Sequence, residues 1–197
     1  MNGIGKCWGR ALIFVFAALA PCSAALGALT LDGLLSDAKM TPKKFAGLFR
    51  DFEFDVHPFD VQDPEVFLST RAGDCIDYAV LADYVLKRNG YATRLIRVEM
   101  VGKNAGHAVC YVSGDRVYLD YNNRQYFLSL VHSGPRLREI ATKVAASLEA
   151  HWTFASEFTY DYNSCIKKVV LTVVETDPPA SDPDVARYRD SGASPNP

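Results

Sequence analysis

A cysteine, a histidine and an aspartate occur in an order and in local settings that suit a nucleophile, a base and an orienting carboxylate. Cys75 follows Gly73-Asp74 directly, where a helix is predicted to begin. A thiol in the first turn of a helix lies at the positive end of the helix dipole, which favours the nucleophilic thiolate. The carboxylate of Asp74 opposes this effect, so a nearby imidazolium is needed as a partner.

The imidazole is predicted to come from His107 and its orienting carboxylate from Asp120. His107 begins one predicted strand, Asp120 ends the next, and a turn around Gly114 joins the two strands into a hairpin. Such a hairpin brings position 107 opposite positions 120 and 121, where the carboxylate can bind the second ring nitrogen and fix the tautomer. We therefore predict a catalytic triad of Cys75, His107 and Asp120.

The helix that would carry the cysteine has the clearest pattern in the chain. It is predicted over residues 75–89, with Asp74 as its N-cap and Gly90 as its stop. Apolar residues recur on one face, at the spacing of a buried helix, at Tyr78, Leu81, Ala82 and Val85.

Shorter helices precede this one, and β-rich segments follow it. Helices are predicted to begin at Thr41-Pro42 and at Asp63-Pro64. Strands are predicted over 92–100, 106–112, 116–121, 126–130, 154–162 and 166–174, with one helix over 135–150. Helices first and mostly antiparallel strands afterwards indicate an α+β fold.

These residues resemble the transglutaminase-like superfamily. The similar features are a glycine, an acidic residue and a cysteine at the head of a helix, then a Gly-His, then a Leu-Asp that ends the next strand, all within residues 63–126. The resemblance implies a papain-like fold, in which the Cys75 helix packs against an antiparallel sheet that presents His107 and Asp120. It also implies amide-bond hydrolysis or acyl transfer, although the family includes inactive members.

The run from Asp74 to Ala79 resembles bacterial transglutaminase-like cysteine proteinases in particular. Some of these bind calcium through carboxylates beside the cysteine, so the resemblance implies Asp74 and Asp77 as ligands. Ile76 stands where an acidic ligand is usual, and two carboxylates fall short of the roughly six oxygens that calcium takes. We predict no cofactor, with calcium at Asp74 and Asp77 as the alternative.

The groups that would stabilise an oxyanion are only partly determined. The backbone amide of Cys75 is the natural first donor. Side chains that remain open as second donors or substrate contacts are Gln62, Tyr78 and Trp152.

Two further cysteines remain outside the predicted triad. Strand alternation puts His107 and Cys110 on opposite faces, so Cys110 is expected to point away from the site. Cys110 and Cys165 either form a disulfide or stay as two buried thiols.

Both ends of the chain differ from the central domain, which is predicted over residues 29–175. Lys6 and Arg10 precede an apolar run over 11–20 and then small residues, a pattern typical of a secretory signal peptide over 1–28 cleaved near 25–28. The run is about half the roughly 20 residues of a spanning helix, so a membrane anchor is the weaker alternative, as is lipidation of Cys22. The polar segment 176–197 is predicted to be disordered.

The composition and net charge of the chain bear on the kind of partner that it binds. The 197 residues are 49% hydrophobic with a net charge of -2, and their scattered basic residues argue against a nucleic-acid partner. We predict an exported monomer, periplasmic or secreted, without a membrane span after signal cleavage. It is expected to be a cysteine hydrolase that cleaves or transfers the acyl group of a protein or peptide amide through a thioester. The alternative is a catalytically silent binding or structural domain of the cell envelope.

Overall fold

The α+β architecture predicted from the sequence is confirmed. The computed structural model describes residues 29–57, 60–102, 106–126 and 130–175; the predicted signal peptide and tail lie outside these residues. The helices are α1 (Leu31–Ser36), α2 (Pro42–Leu48), α3 (Pro64–Thr70), α4 (Cys75–Arg88) and α5 (Leu137–Ser147). The strands are β1 (Glu53–Phe54), β2 (Ala72–Gly73), β3 (Thr93–Met100), β4 (His107–Val112), β5 (Val117–Leu119), β6 (Leu130–His132), β7 (Trp152–Asp161) and β8 (Ile166–Val174).

The larger sheet has six strands in the order β6-β5-β4-β3-β7-β8, with every neighbouring pair antiparallel. Helix α4 contacts β3 and β4 on one face, and α5 contacts β3 and β7. Two buried clusters result, one between the sheet and the N-terminal helices and one between the sheet and α5. The cysteine helix therefore lies on the strand that begins with the predicted catalytic histidine.

The predicted helix starts are confirmed by their caps. The Thr41 hydroxyl accepts a hydrogen bond from the Lys44 amide at 3.1 Å, and the Asp63 carboxylate accepts one from the Glu65 amide at 2.9 Å. Each cap is followed by a proline at the first helical position, where the missing N–H costs no hydrogen bond. The short helix α1 was not predicted, because six residues carry too little periodicity to identify a helix.

The hairpin that carries the predicted histidine and aspartate differs in register from the prediction. Val112 pairs with Val117, and this register sets position 107 level with position 122, slightly beyond positions 120 and 121. Strand β5 ends before Asp120, which instead caps a single turn of 3-10 helix over Tyr121–Asn123. His107 and Asp120 are thus diagonal neighbours, still within side-chain reach.

No helix among the described residues is long and apolar enough to cross a membrane.

Gly73 lies where a side chain has no room. A Cβ built there would come 2.6 Å from a ring carbon of Phe67 and 2.7 Å from a carboxylate oxygen of Asp77. We expect Gly73→Ala to lower the free energy of unfolding by about 1–3 kcal/mol, the usual cost of overpacking. Urea unfolding measures this value.

The matched control is Gly47→Ala in α2. A Cβ at Gly47 meets no heavy atom within 4 Å, so this change should stabilise the helix by about 0.5–1 kcal/mol. A Gly73→Ala protein as stable as the unchanged chain would show that the Phe67 and Asp77 side chains move aside freely.

Candidate active site

The start of α4 is fixed by reciprocal hydrogen bonds that place Cys75 in its first turn. The Asp74 carboxylate accepts from the amides of Ile76 and Asp77 at 2.9 and 3.3 Å, and the Asp77 carboxylate accepts from the Asp74 amide at 2.9 Å. This is a capping box, which satisfies amides that a helix leaves unpaired at its N-terminus. The predicted N-cap is therefore confirmed, and the sulfur lies at the positive end of a 14-residue helix.

The Cys75 sulfur lies against the beginning of β4. The Ala108 amide donates to the sulfur at 3.5 Å, and His107, the residue before Ala108, lines the same cavity as Cys75. A backbone amide that donates to the sulfur holds the side chain at the start of β4, beside the predicted histidine.

The predicted histidine and aspartate form a buried pair. The distance from His107 Nε2 to Asp120 Oδ1 is 2.8 Å, and the two residues are 5% and 1% exposed. The same carboxylate oxygen accepts from the Asn122 amide at 2.9 Å, so the 3-10 turn holds the carboxylate in place. Since Nε2 is bound to Asp120, Nδ1 is the ring nitrogen left to face Cys75.

Electrostatics keep His107 protonated. Burial would lower its pKa, but the charge of Asp120, the hydrogen bond to Asp120 and the adjacent Cys75 together raise the pKa of His107 from 6.5 to about 10. An imidazolium is therefore expected beside the sulfur throughout the neutral pH range.

A cavity of about 240 Å³ opens onto this arrangement. Besides Asp74, Cys75, His107 and the preceding Gly106, it is lined by residues that the sequence did not single out: Phe54, Val56, Met100, Asn122 and Leu148. Most of them are apolar and come from separate elements, so only tertiary folding brings them together.

None of the three side chains considered as oxyanion donors lines this cavity. The side-chain amide of Gln62 donates to the Ala72 carbonyl at 3.2 Å, and Gln62 lines a separate cavity of about 390 Å³. Tyr78 is fully buried in an aromatic cluster with Phe45 and Phe49, because it lies on the face of α4 turned to the core.

Trp152 is bound elsewhere, with its indole N–H directed to the Thr142 hydroxyl at 3.2 Å. The structure thus gives these side chains positions that do not suit an oxyanion role. The Cys75 backbone amide stays the predicted donor.

The remaining cysteines stay unpaired, with all three described thiols free. Cys110 is fully buried under α4 and does not line the catalytic cavity. This agrees with the prediction that it points away from the site. Burial raises the pKa of the Cys110 thiol well above its ordinary value, so this thiol is unreactive. Cys165 is exposed in the turn between β7 and β8, and the expectation that it is buried was wrong.

The carboxylates proposed as calcium ligands have a third neighbour, His57, which sequence reasoning missed. One ligand atom each from His57, Asp74 and Asp77 lies within 4.8 Å of the others. His57 Nε2 is 2.7 Å from Asp77 Oδ2. A histidine before a proline in a loop gives no local signal of this contact, which spans 20 residues of sequence.

Comparison with known proteins gives one family match and several similar solved structures. Residues 38–130 match the family model of a transglutaminase-like domain, while no curated protein matches the chain significantly. Among solved structures, calcium-bound LapG of Legionella pneumophila is similar at 16% identity and a TM-score of 0.43, covering 64% of this chain and 71% of LapG. EGTA-treated LapG gives 15% identity and a TM-score of 0.43, over 71% of this chain and 78% of LapG.

A protein of Cytophaga hutchinsonii, provisionally assigned as a cysteine protease, is similar at 18% identity and a TM-score of 0.37, over 74% of this chain and 50% of that one. A cysteine helix packed on an antiparallel sheet defines a papain-like α+β domain. The family match identifies residues 38–130 of this chain as a transglutaminase-like domain.

Proposed function

We propose that this chain is an exported cysteine hydrolase that cleaves a peptide or protein amide through a triad of Cys75, His107 and Asp120. The observation that carries the proposal is the buried pair of His107 and Asp120 at 2.8 Å, at the start of the strand whose Ala108 amide donates to the Cys75 sulfur at 3.5 Å. Nucleophile, acid–base group and orienting carboxylate are then in series, as nucleophilic catalysis requires.

Acylation begins when the Cys75 sulfur attacks the carbonyl carbon of the amide. The carbonyl oxygen becomes an oxyanion, which the Cys75 backbone amide at the head of α4 is placed to stabilise. His107 then gives its proton to the leaving nitrogen, the carbon–nitrogen bond breaks, and a thioester remains on Cys75.

Deacylation returns the enzyme to its starting state. Neutral His107 takes a proton from water, and the water oxygen attacks the thioester carbon. The carbon–sulfur bond breaks, which releases the carboxylic acid and leaves Cys75 as thiolate beside protonated His107. An amine in place of water would give a new amide by the same steps, so the outcome depends on which nucleophile enters the cavity.

Asp120 acts by holding the imidazole. Its carboxylate keeps Nε2 occupied, and its charge contributes to the raised pKa of His107. The proton needed by the leaving amine is therefore present at neutral pH, which suits amides because their nitrogen leaves only when protonated.

A catalytically silent domain is the competing proposal, and an acyl-enzyme experiment separates the two. The protein is mixed with an activated acyl ester, and the reaction is quenched in acid. Mass spectrometry then measures the mass of the intact protein, and peptide mapping locates any acyl group. The hydrolase is expected to carry one acyl group on Cys75 that disappears on incubation in water. Absence of an adduct, or an adduct on Cys165 alone, would favour the silent domain.

Addition of a primary amine to the same mixture tests hydrolysis against transfer. If water is the natural nucleophile, the free acid remains the main product. A dominant amide product would instead identify the chain as an acyl transferase with the same triad.

A further inference from the structure

The carboxylate of Asp77 is fully used by groups of the protein itself. Its Oδ1 accepts from the backbone amide of Gln62 at 2.7 Å. Its Oδ2 accepts from the backbone amide of Asp74 at 2.9 Å and lies 2.7 Å from His57 Nε2. Asp77 is only 2% exposed. Three short contacts occupy most of the roughly four lone-pair positions of a carboxylate, which leaves little room for a metal.

The neighbouring Asp74 is committed in a similar way. Its Oδ1 caps α4 by accepting from the amides of Ile76 and Asp77. Burial, and then the charge of Asp77, raise the pKa of Asp74, whereas the charge of His57 acts in the opposite direction. Carboxylates held this close need hydrogen-bond partners, and His57 Nε2, at 2.7 Å from Asp77 Oδ2, is in position to supply one.

The residues present do not fit calcium. Calcium takes about six to eight oxygen ligands, whereas this cluster offers two carboxylates and an imidazole nitrogen, a ligand that suits zinc or copper better. Ile76 lies between the two aspartates but is 5% exposed, belongs to the apolar core and supplies no oxygen.

The contacts of Asp77 join distant parts of the chain. His57 and the backbone amide of Gln62 precede α3 in the chain. Both contact the Asp77 carboxylate, which belongs to the first turn of α4. That turn carries Cys75, and Asp74 itself lines the cavity onto which Cys75 opens. Whatever binds the Asp77 carboxylate therefore also holds the wall of the site.

We propose that His57 takes the place of a calcium ion in this chain, pairing with Asp77 to hold the first turn of the cysteine helix without any metal. His57 is a positioning residue in this account, since it contacts Asp77 and not the Cys75 sulfur. The proposal concerns the stability of the folded protein, and it holds whether or not Cys75 is catalytic.

Thermal unfolding of the full chain in excess calcium and in EGTA tests this. The unchanged protein is expected to give the same Tm in both, because no additional ligand is bound. His57→Gln should lower the Tm by several degrees, since it leaves Asp77 buried without its partner. The matched control His132→Gln, at an exposed position of β6, should leave the Tm unchanged.

His57→Asp provides a second test, because it replaces the nitrogen by an oxygen ligand and adds a third carboxylate. Its Tm should be low in EGTA and should rise when calcium is added. A calcium-dependent Tm of the unchanged protein would overturn the proposal, as would a zinc-dependent rise that His57→Gln removes. If the His57 variants fail to fold, calorimetric titration of the unchanged protein with calcium decides, and measurable binding at the cluster would refute the proposal.

Discussion

Replacing Cys75 by alanine is expected to abolish turnover, with a loss of about 10⁴-fold or more, while the protein keeps its fold. Removal of a covalent nucleophile leaves only the contribution of substrate binding and oxyanion stabilisation. The side chain is partly exposed and caps no element, so its loss should cost little stability. Release of product from an activated amide measures the rate, and circular dichroism checks the fold.

The matched control is Cys165→Ala, which removes the other solvent-accessible thiol among the residues that the structure describes. Because Cys165 lies in the turn between β7 and β8, its loss should leave turnover unchanged. Cys110 needs no equivalent test for reactivity, since its burial keeps the thiol protonated. Turnover that survives in Cys75→Ala, or disappears in Cys165→Ala, would contradict the assignment of the nucleophile.

Asp120→Asn is expected to lower the rate of acyl-enzyme formation by about 10²- to 10⁴-fold, the range that acid–base groups contribute. The substitution preserves the size of the side chain and an oxygen to accept from the Asn122 amide, but it removes the charge beside His107. Since the carboxylate helps to raise the pKa of His107 to about 10, its removal should lower that pKa.

Loss of the Asp120 charge should move the alkaline limb of the pH profile, where activity falls as the pH rises, to lower pH. Acylation needs protonated His107, so the unchanged protein should keep its activity until the pH approaches about 10 and lose it above that value. In Asp120→Asn the same decline should begin at lower pH. The rate at which a small epoxide labels Cys75 measures this alkaline decline, because opening of the epoxide ring needs a proton. The rate of labelling by iodoacetamide, which needs only thiolate, serves as the internal comparison.

Asp115→Asn, in the exposed turn between β4 and β5, is the control for loss of one negative charge. It should leave both rates and the alkaline limb unchanged. An Asp120→Asn protein with an unshifted alkaline limb would mean that Asp120 does not control the proton on His107.

The elements around the site could be predicted because local chemistry determines them. Asp74 as a cap and the apolar face of α4 are short-range patterns that the tertiary structure only completes. For the same reason, the pairing of His107 with Asp120 followed from a single hairpin between adjacent strands.

The parts that could not be predicted depend on contacts distant in sequence. His57 reaches Asp77 across 20 residues, and neither position carries a local signal of the other. The register of β4 and β5 depended on the number of residues in one turn, which composition does not specify. Gln62 appeared available as an oxyanion donor until the structure placed its amide on the Ala72 carbonyl.

Nitrogen NMR of histidine-labelled protein at neutral pH tests the central claim most directly, with the His107 signals identified from their loss in His107→Gln. We predict a doubly protonated His107 ring, because Asp120 and Cys75 both stabilise its positive charge. In Asp120→Asn the ring should lose a proton over a lower range of pH. A neutral His107 ring in the unchanged protein at neutral pH would contradict the ion pair on which the proposed mechanism depends.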